Sequence, residues 1–180
     1  MPEIIANANS PYIGAFRMTQ TQHENHDGYD LVGIDSKEIH STVDGTVIWA
    51  AWENKDDHSQ GFGQYVVVQS ADKKMYHFGH LSEIKVSVGQ KVKCTDVIGI
   101  EGNTGRSTGS HCHYCVRTSM SPGTALNLEQ ISGIPNKLGF YDDGYRPAPS
   151  GQVTPGVTSK EVEVFLEIEG KKYSGMLSEV

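Results

Sequence analysis

Six of the eight histidines in this 180-residue chain occur in close pairs, and several lie beside residues that could complete a reactive site. His26 begins the segment HDGYD, in which Asp30 follows four residues later. His111 and His113 lie in HCHYC with one residue between them, so on a β-strand both imidazoles project from the same face. His80 lies between these segments, in GHLS. Imidazole nitrogens and a carboxylate oxygen are suitable ligands for zinc.

These residues predict a catalytic zinc site. Such a site needs three protein ligands and an open position, and His26, Asp30 and one histidine of the HCH pair would provide the ligands. Zinc lowers the pKa of a water ligand from roughly 15.7 to about 7, which makes water a nucleophile at neutral pH. His80 and the other histidine of the pair could then transfer protons and stabilise the developing negative charge. The pattern therefore favours metal-assisted hydrolysis with one zinc ion per chain.

Short β-rich runs must position these side chains. They contain β-branched and aromatic residues, with turn residues about every 8 to 12 positions, which predicts an antiparallel β fold. One short helix is predicted around residues 125–132, because Gly133 and Pro135 end the helical pattern. The predicted strands cover residues 42–52, 63–70, 74–78, 84–88, 91–100 and 111–117.

The composition changes towards the C-terminus. Residues 136–156 are rich in Gly, Pro, Asp and Tyr, which predicts a linker. In residues 157–180, apolar and polar side chains alternate on both sides of the segment EGKK, which predicts a β-hairpin. The expected organisation is therefore a main domain over residues 1–135, a linker and a hairpin appendage.

The charge and the hydropathy pattern exclude several classes of protein. With 15 Lys and Arg against 22 Asp and Glu, the net charge of −7 argues against nucleic-acid binding. No apolar run approaches the roughly 18 residues of a membrane span, so membrane insertion is not expected. The N-terminus lacks the pattern of a secretory signal. The three cysteines do not form a regular disulfide framework, so free thiols are expected.

The order of these motifs resembles the lysostaphin-type (LytM-like) zinc endopeptidases, which cut peptide bonds in bacterial cell walls. The resemblance runs from about residue 16 to residue 117 and includes DGTVIWAAW, GQYVVVQ and VSVGQKVKCTDVIGIEGNTGRSTGSHCHYCVR. It implies a mainly β fold with the antiparallel sheet of the duplicated hybrid motif, few short helices, zinc as cofactor and a peptidoglycan peptide as substrate. It also implies that His26, Asp30 and His113 bind the zinc. His80 and His111 are then the catalytic pair.

The chain departs from the family pattern at two places. Family members often have a tyrosine upstream of the first ligand that helps to hold the oxyanion, but no tyrosine lies between Tyr12 and Tyr29. Cys115 stands where the family usually has Glu or Gln. It is interpreted as a small buried residue, and the alternative is a fourth ligand that would make the zinc structural. Three side chains are candidates for the role of the tyrosine: Arg17, Gln20 and Gln22.

The remaining acids and histidines near these motifs are interpreted without a chemical role. The acids are expected to be turn or solvated carboxylates, and the histidines to pack in the fold or to face solvent. The interpretation covers Asp27, Asp35, Asp44, His23, His40, His58 and His77.

Two other functions compete with the hydrolase. One is a non-catalytic module on the same fold that binds peptidoglycan or a partner. The other is a phosphotransfer or carrier protein, because VGQKVKCTDVIG resembles the β-hammerhead turn of such proteins; Asp30 favours a metal over this function. A cell-wall substrate without an export signal predicts a protein made in the cytoplasm that acts after phage lysis or as a virion component. Residues 157–180 could then contact a phage structural partner.

Overall fold

The computed structural model describes residues 10–142 and two further strands, Val162–Ile168 and Lys171–Leu177. The chain divides into two compact units, residues 1–150 and residues 151–180. Within the described residues, no helix combines the length and the apolar character needed to cross a membrane.

In its described part, the first unit consists of eleven strands and one short helix. The strands are β1 (Ala15–Gln20), β2 (Tyr29–Gly33), β3 (Glu38–His40), β4 (Gly45–Trp52), β5 (Gln64–Ser70), β6 (Met75–Leu81), β7 (Glu83–Ile84), β8 (Lys91–Val92), β9 (Val97–Ile100), β10 (Cys112–Arg117) and β11 (Gly139–Asp142). The helix is α1 (Leu128–Ser132).

Eight of these strands form one antiparallel sheet, in the order β11-β1-β2-β10-β6-β5-β4-β8, and β3-β9-β7 form a smaller sheet. Strand β10 is central, with β2 on one side and β6 on the other. The prediction of a mainly β fold with an antiparallel sheet is thereby confirmed. The topology therefore places the HCH segment between β2, which begins within HDGYD, and β6, which ends within GHLS.

The two faces of β10 have different surroundings. Three alternate residues point into the hydrophobic core: Cys112, Tyr114 and Val116. His113 and Cys115 must point to the opposite face, because side chains alternate along a strand. The core-facing side chains hold β10 in place, because burial of a large apolar side chain stabilises the fold by roughly 1.5–3 kcal/mol. The opposite face is thus free to carry polar groups.

The helix begins three residues later than predicted. Ala125 still pairs with Arg117, and the Leu126 amide donates to the Val116 carbonyl, so this segment extends the sheet first. Asn127 then caps the helix, because its side chain accepts from the Gln130 amide at 3.0 Å.

The predicted linker over residues 136–156 is wrong at its beginning. Gly139–Asp142 forms the edge strand β11, which pairs with β1. Tyr141 stacks on Phe16 with ring centroids 5.6 Å apart, so an aromatic side chain joins a segment of linker-like composition to the core. Residues 143–161 lie outside the described residues.

The prediction omits β1, β2 and β3, because these segments lack long β-branched runs. The predicted strand over 91–100 is two strands, separated by a turn in which Asp96 accepts from the Lys93 amide at 2.8 Å. The predicted strand over 84–88 is also shorter, since β7 ends at Ile84.

In the second unit, Val162–Ile168 pairs antiparallel with Lys171–Leu177. The register runs from Val162 opposite Leu177 to Ile168 opposite Lys171. The predicted C-terminal hairpin therefore exists as an antiparallel strand pair.

Candidate metal centre and active site

The three predicted zinc ligands meet on the open face of the large sheet. Asp30 in β2 lies directly opposite His113 in β10. A tight turn, closed by mutual backbone hydrogen bonds of 2.9 Å between His23 and His26, brings the His26 ring over this pair. His26 Nε2 is 3.0 Å from Asp30 Oδ1 and 3.1 Å from His113 Nδ1, and His113 Nδ1 is 3.0 Å from Asp30 Oδ1.

The outer nitrogens of the two rings show which atoms are free to bind a metal. His26 Nδ1 donates to the Thr21 carbonyl at 2.8 Å, so Nε2 carries the lone pair in the neutral ring. His113 Nε2 donates to Asp27 Oδ1 at 3.1 Å, so Nδ1 carries the lone pair. With both rings neutral, these outer contacts would leave two lone pairs and a carboxylate oxygen facing one another within 3.0–3.1 Å. A cation satisfies such a set, and two imidazoles with one carboxylate are typical of catalytic zinc.

Gly28 makes the turn possible. A Cβ atom at this position would lie 2.5 Å from the Tyr114 carbonyl oxygen and 2.8 Å from His113 Nε2. Any side chain would push HDGYD away from β10. Gly28 is therefore required because HDGYD and β10 approach each other closely at this position.

His80 and His111 lie beside the ligand set with their ring centroids 4.6 Å apart. His80 Nδ1 donates to the Thr104 carbonyl at 2.7 Å, and His111 Nδ1 to the Gly109 carbonyl at 2.8 Å. The Nε2 atoms are thereby left for chemistry, and that of His111 is 3.4 Å from Asp30 Oδ1. The His80 backbone has a φ of 62°, which is strained for a side chain other than glycine and costs roughly 1–3 kcal/mol.

The surroundings move the pKa values of these two histidines in opposite directions. Burial and the neighbouring His111 lower the pKa of His80 to about 4, so its ring is neutral at pH 7. Burial also disfavours the charged form of His111, but the hydrogen bond and the charge of Asp30 outweigh burial and raise its pKa. A neutral ring beside one that protonates more readily is the arrangement expected of a base and an acid.

Asp27 and Arg117 are parts of this site that the sequence interpretation missed. Asp27 is not a solvated turn carboxylate, since it accepts from His113 and also from Arg117 Nε, at 2.8 Å. Burial by itself raises the pKa of Asp27, but these hydrogen bonds and the Arg117 charge hold it below its ordinary value. The sequence signal for Asp27 was its position next to His26. The signal for Arg117 was weaker, because only the alternation along β10 places it on the same face as His113.

The other residues interpreted as structural have structural contacts. Asp35 accepts from the Ala15 amide at 2.7 Å and Asp44 from the Cys94 amide at 2.7 Å. His58 stacks on Trp52, with ring centroids 3.6 Å apart. His77 is buried among aromatic rings, and neither of its ring nitrogens has a hydrogen-bond partner among the residues that the structure describes. Burial lowers its pKa to about 3, which keeps the ring neutral.

Of the three candidates for the role of the upstream tyrosine, Gln20 is in the best position. The Arg17 guanidinium lies over the Phe140 ring at 5.6 Å. Gln22 is occupied by backbone groups, since its amide donates to Leu126 at 2.8 Å and its oxygen accepts from Leu128 at 2.9 Å. Gln20 lines the cleft, and its amide nitrogen lies 3.3 Å from the exposed ring of His23.

This cleft has a volume of about 950 Å³. The segments that line it lie within residues 20–30, 53–65, 77–80, 105–113 and 117–122. The three candidate metal ligands, His80 and His111 all line this cleft.

Cys115 lies on the other side of the His113 ring from the ligand set. The sulfur groups with Asp27 and His113 and does not belong to the set of His26, Asp30 and His113. Cys115 is part of β10, and its side chain is fully buried. The geometry supports its interpretation as a packing residue.

The variant Cys115→Ser is therefore expected to bind as much zinc as wild type, because the sulfur does not belong to the group of His26, Asp30 and His113. Elemental analysis of the purified variant checks the zinc content against wild type. Loss of zinc without loss of folding, as judged by circular dichroism, would mean that Cys115 is a ligand.

The chain is similar to known peptidases in sequence and in structure. The model of peptidase family M23 matches residues 24–127. The peptidoglycan DD-endopeptidase ShyA of Vibrio cholerae is 35% identical over 114 residues, which cover 62% of this chain and 25% of that protein. The glycyl-glycine endopeptidase ALE-1 of Staphylococcus capitis is 32% identical over 102 residues, which cover 56% of this chain and 27% of that protein. The chain thus spans about a quarter of the length of these relatives.

Among solved structures, the catalytic domain of the prophage-encoded M23 protein EnpA from Enterococcus faecalis is similar, with a TM-score of 0.56 and 27% identity over 67% of this chain and 95% of that one. The catalytic domain of lysostaphin from Staphylococcus simulans has a TM-score of 0.55 and 26% identity, over 65% of this chain and 89% of that one. The family match covers more than half of the chain, and the chain belongs to peptidase family M23.

Proposed function

We propose that this protein is a zinc-dependent endopeptidase that hydrolyses peptide bonds in bacterial peptidoglycan. The observation that carries the proposal is the convergence of His26 Nε2, Asp30 Oδ1 and His113 Nδ1 within 3.0–3.1 Å, with the outer nitrogens of both rings already hydrogen-bonded. These residues fit zinc, which when bound would activate water and polarise the scissile carbonyl.

The residues around the candidate ligands provide proton transfer and stabilisation of the oxyanion. His80, neutral at pH 7, accepts the proton of the attacking water at Nε2. His111, whose pKa is raised, stabilises the developing oxyanion and gives a proton to the leaving amine. Gln20 lines the cleft and supplies an amide donor for the same oxyanion.

The substrate class is supported by the relatives. ShyA is named as a peptidoglycan DD-endopeptidase and ALE-1 as a glycyl-glycine endopeptidase, so both names describe cleavage of peptide bonds. A non-catalytic module that binds peptidoglycan or a partner is the alternative. The presence of both flanking histidines and all three ligands favours catalysis, because binding alone requires none of them.

We also propose that the protein is phage-encoded, is made in the cytoplasm and reaches the wall after phage lysis or as a virion component. Its similarity to the prophage-encoded EnpA supports this origin. The strand pair Val162–Ile168 and Lys171–Leu177 would then contact the wall or a phage structural partner.

The proposed activity is tested by incubating the zinc-loaded protein with purified cell walls and measuring the release of new amino groups. We expect one zinc per chain, amino-group release that stops on chelation, and recovery when zinc is restored. Wall binding without amino-group release would instead establish the non-catalytic module, and release that is insensitive to chelation would exclude zinc chemistry.

A further inference from the structure

The carboxylate of Asp27 lies between His113, a candidate metal ligand, and the guanidinium of Arg117. Asp27 Oδ1 accepts from His113 Nε2 at 3.1 Å, and Asp27 Oδ2 accepts from Arg117 Nε at 2.8 Å and from a terminal nitrogen of the same guanidinium. The His113 and Arg117 side chains are only 7% and 9% exposed. The Asp27 side chain is 30% exposed, and each of its oxygens has its own donor from a buried partner.

The first of these contacts determines which nitrogen of His113 carries the proton. A neutral imidazole has one N–H and one lone pair, and the hydrogen bond at one nitrogen decides the state of the other. An acceptor at Nε2 holds the proton there and leaves the Nδ1 lone pair directed at His26 and Asp30. A donor at the same place would move the proton to Nδ1 and block metal binding.

The second contact fixes Asp27 itself. The Arg117 guanidinium is packed over the Phe62 ring at 5.0 Å, so it can move little. The guanidinium has only hydrogen-bond donors, so the atom of residue 27 that faces it must be an acceptor. It also places a positive charge beside Asp27, His113 and Cys115, which opposes a second cation in that cluster.

We propose that Asp27 is a positioning residue that holds His113 in the metal-binding tautomer, and that Arg117 fixes the orientation of Asp27. This inference rests on the proposed zinc site. It assigns no contact with substrate to either residue. Outer hydrogen-bond partners of metal ligands of this kind typically change metal affinity by about 10–100-fold when they are removed.

The orientation set by Arg117 makes the effect of Asp27→Asn specific. The carboxamide oxygen must face the guanidinium, so its NH₂ group faces His113 Nε2 and demands an acceptor there. The proton is then driven to Nδ1. Replacing Arg117 with Met in the same chain releases this demand, because the amide can turn and present its oxygen to His113.

The test is the zinc dissociation constant of the full chain, measured by competition with a chelator. Asp27→Asn is expected to weaken zinc binding by about 10–100-fold. Asp27→Asn combined with Arg117→Met is expected to bind zinc more tightly than Asp27→Asn does. The matched control is Asp56→Asn, which removes an exposed carboxylate away from the ligands and is expected to bind like wild type.

Two further measurements separate positioning from general damage. Thermal unfolding of the metal-free variants shows whether they fold. In NMR spectra at saturating zinc, the His113 Nε2 proton is expected to exchange slowly in wild type and rapidly in Asp27→Asn.

Zinc binding by Asp27→Asn within twofold of the Asp56→Asn control would overturn the inference and leave the proposed function intact. So would a double variant that binds zinc no better than Asp27→Asn. A wild-type protein that binds no zinc would overturn the proposed function and this inference together.

Discussion

Replacing His80 or His111 with alanine is expected to lower the rate of the proposed peptide-bond hydrolysis by about 10²–10⁴-fold while zinc binding stays at the wild-type level. Both rings face the cleft with Nε2, and their Nδ1 atoms are held by the carbonyls of Thr104 and Gly109. Neither is among the three residues whose donor atoms converge. The loss should therefore appear in kcat, and zinc content should stay at one ion per chain.

The measurement is the rate of amino-group release from soluble peptidoglycan fragments, with zinc measured on the same samples. His58→Ala is the matched control, because His58 is exposed and stacks on Trp52 outside the ligand set. A variant that loses zinc together with activity would place that histidine among the ligands. Unchanged activity in both variants would exclude a role of these residues in acid–base catalysis.

Replacing Glu101 with alanine is expected to lower the free energy of unfolding by about 3 kcal/mol, because buried donors lose their acceptor. Glu101 is 4% exposed. Its carboxylate accepts from the Gly33 amide at 2.8 Å, from Lys37 Nζ at 2.9 Å and from Ser110 Oγ at 2.5 Å. It therefore joins the end of β2, which carries Asp30, to the segment that leads into His111.

The contribution of Glu101 is also expected to depend on pH. Burial alone raises the pKa of this carboxyl, but hydrogen bonds from Ser110, Tyr12 and Lys37 outweigh burial and bring it below its ordinary value. A carboxyl with a lowered pKa in the folded state stabilises the fold above its unfolded pKa of about 4.3. That stabilisation is lost as the pH falls through the lower, folded value.

Urea unfolding of wild type and Glu101→Ala at pH 7 and at several values below pH 4 measures both effects. The difference between the two proteins should be largest at pH 7 and should shrink towards acid. Glu83→Gln serves as control, because Glu83 forms a surface pair with Lys85 at 3.5 Å and such pairs contribute at most about 1 kcal/mol. A difference that is constant across this pH range would contradict the role assigned to the ionised carboxylate.

Much of the fold could be predicted because its strands carry local signals. The β-branched runs of β4 and β5 and the alternation in β10 were sufficient to predict strands there. Strand β11 was not predictable in this way, since its sequence GFYD is typical of a linker. Its position depends on Tyr141 stacking on Phe16, which is a contact between residues far apart in the chain.

The candidate site shows the same division. The spacing in HDGYD and HCHYC predicted a set of metal ligands, and the structure places His26, Asp30 and His113 within 3.1 Å of one another. The residues alone did not distinguish His111 from His113 as the ligand. The register of β10 against β2 distinguishes them, because it sets His113 opposite Asp30.

By itself, the sequence determined the types of group available for chemistry and their alternation on a strand, because both are local properties of residue type and backbone period. Only the tertiary structure decided which nitrogen of each histidine faces the others, and that Asp27, Arg117 and Glu101 support them. Those contacts join residues up to 90 positions apart in sequence, from Asp27 to Arg117. Their formation depends on strand order, register and shared burial, which no short segment of the chain contains.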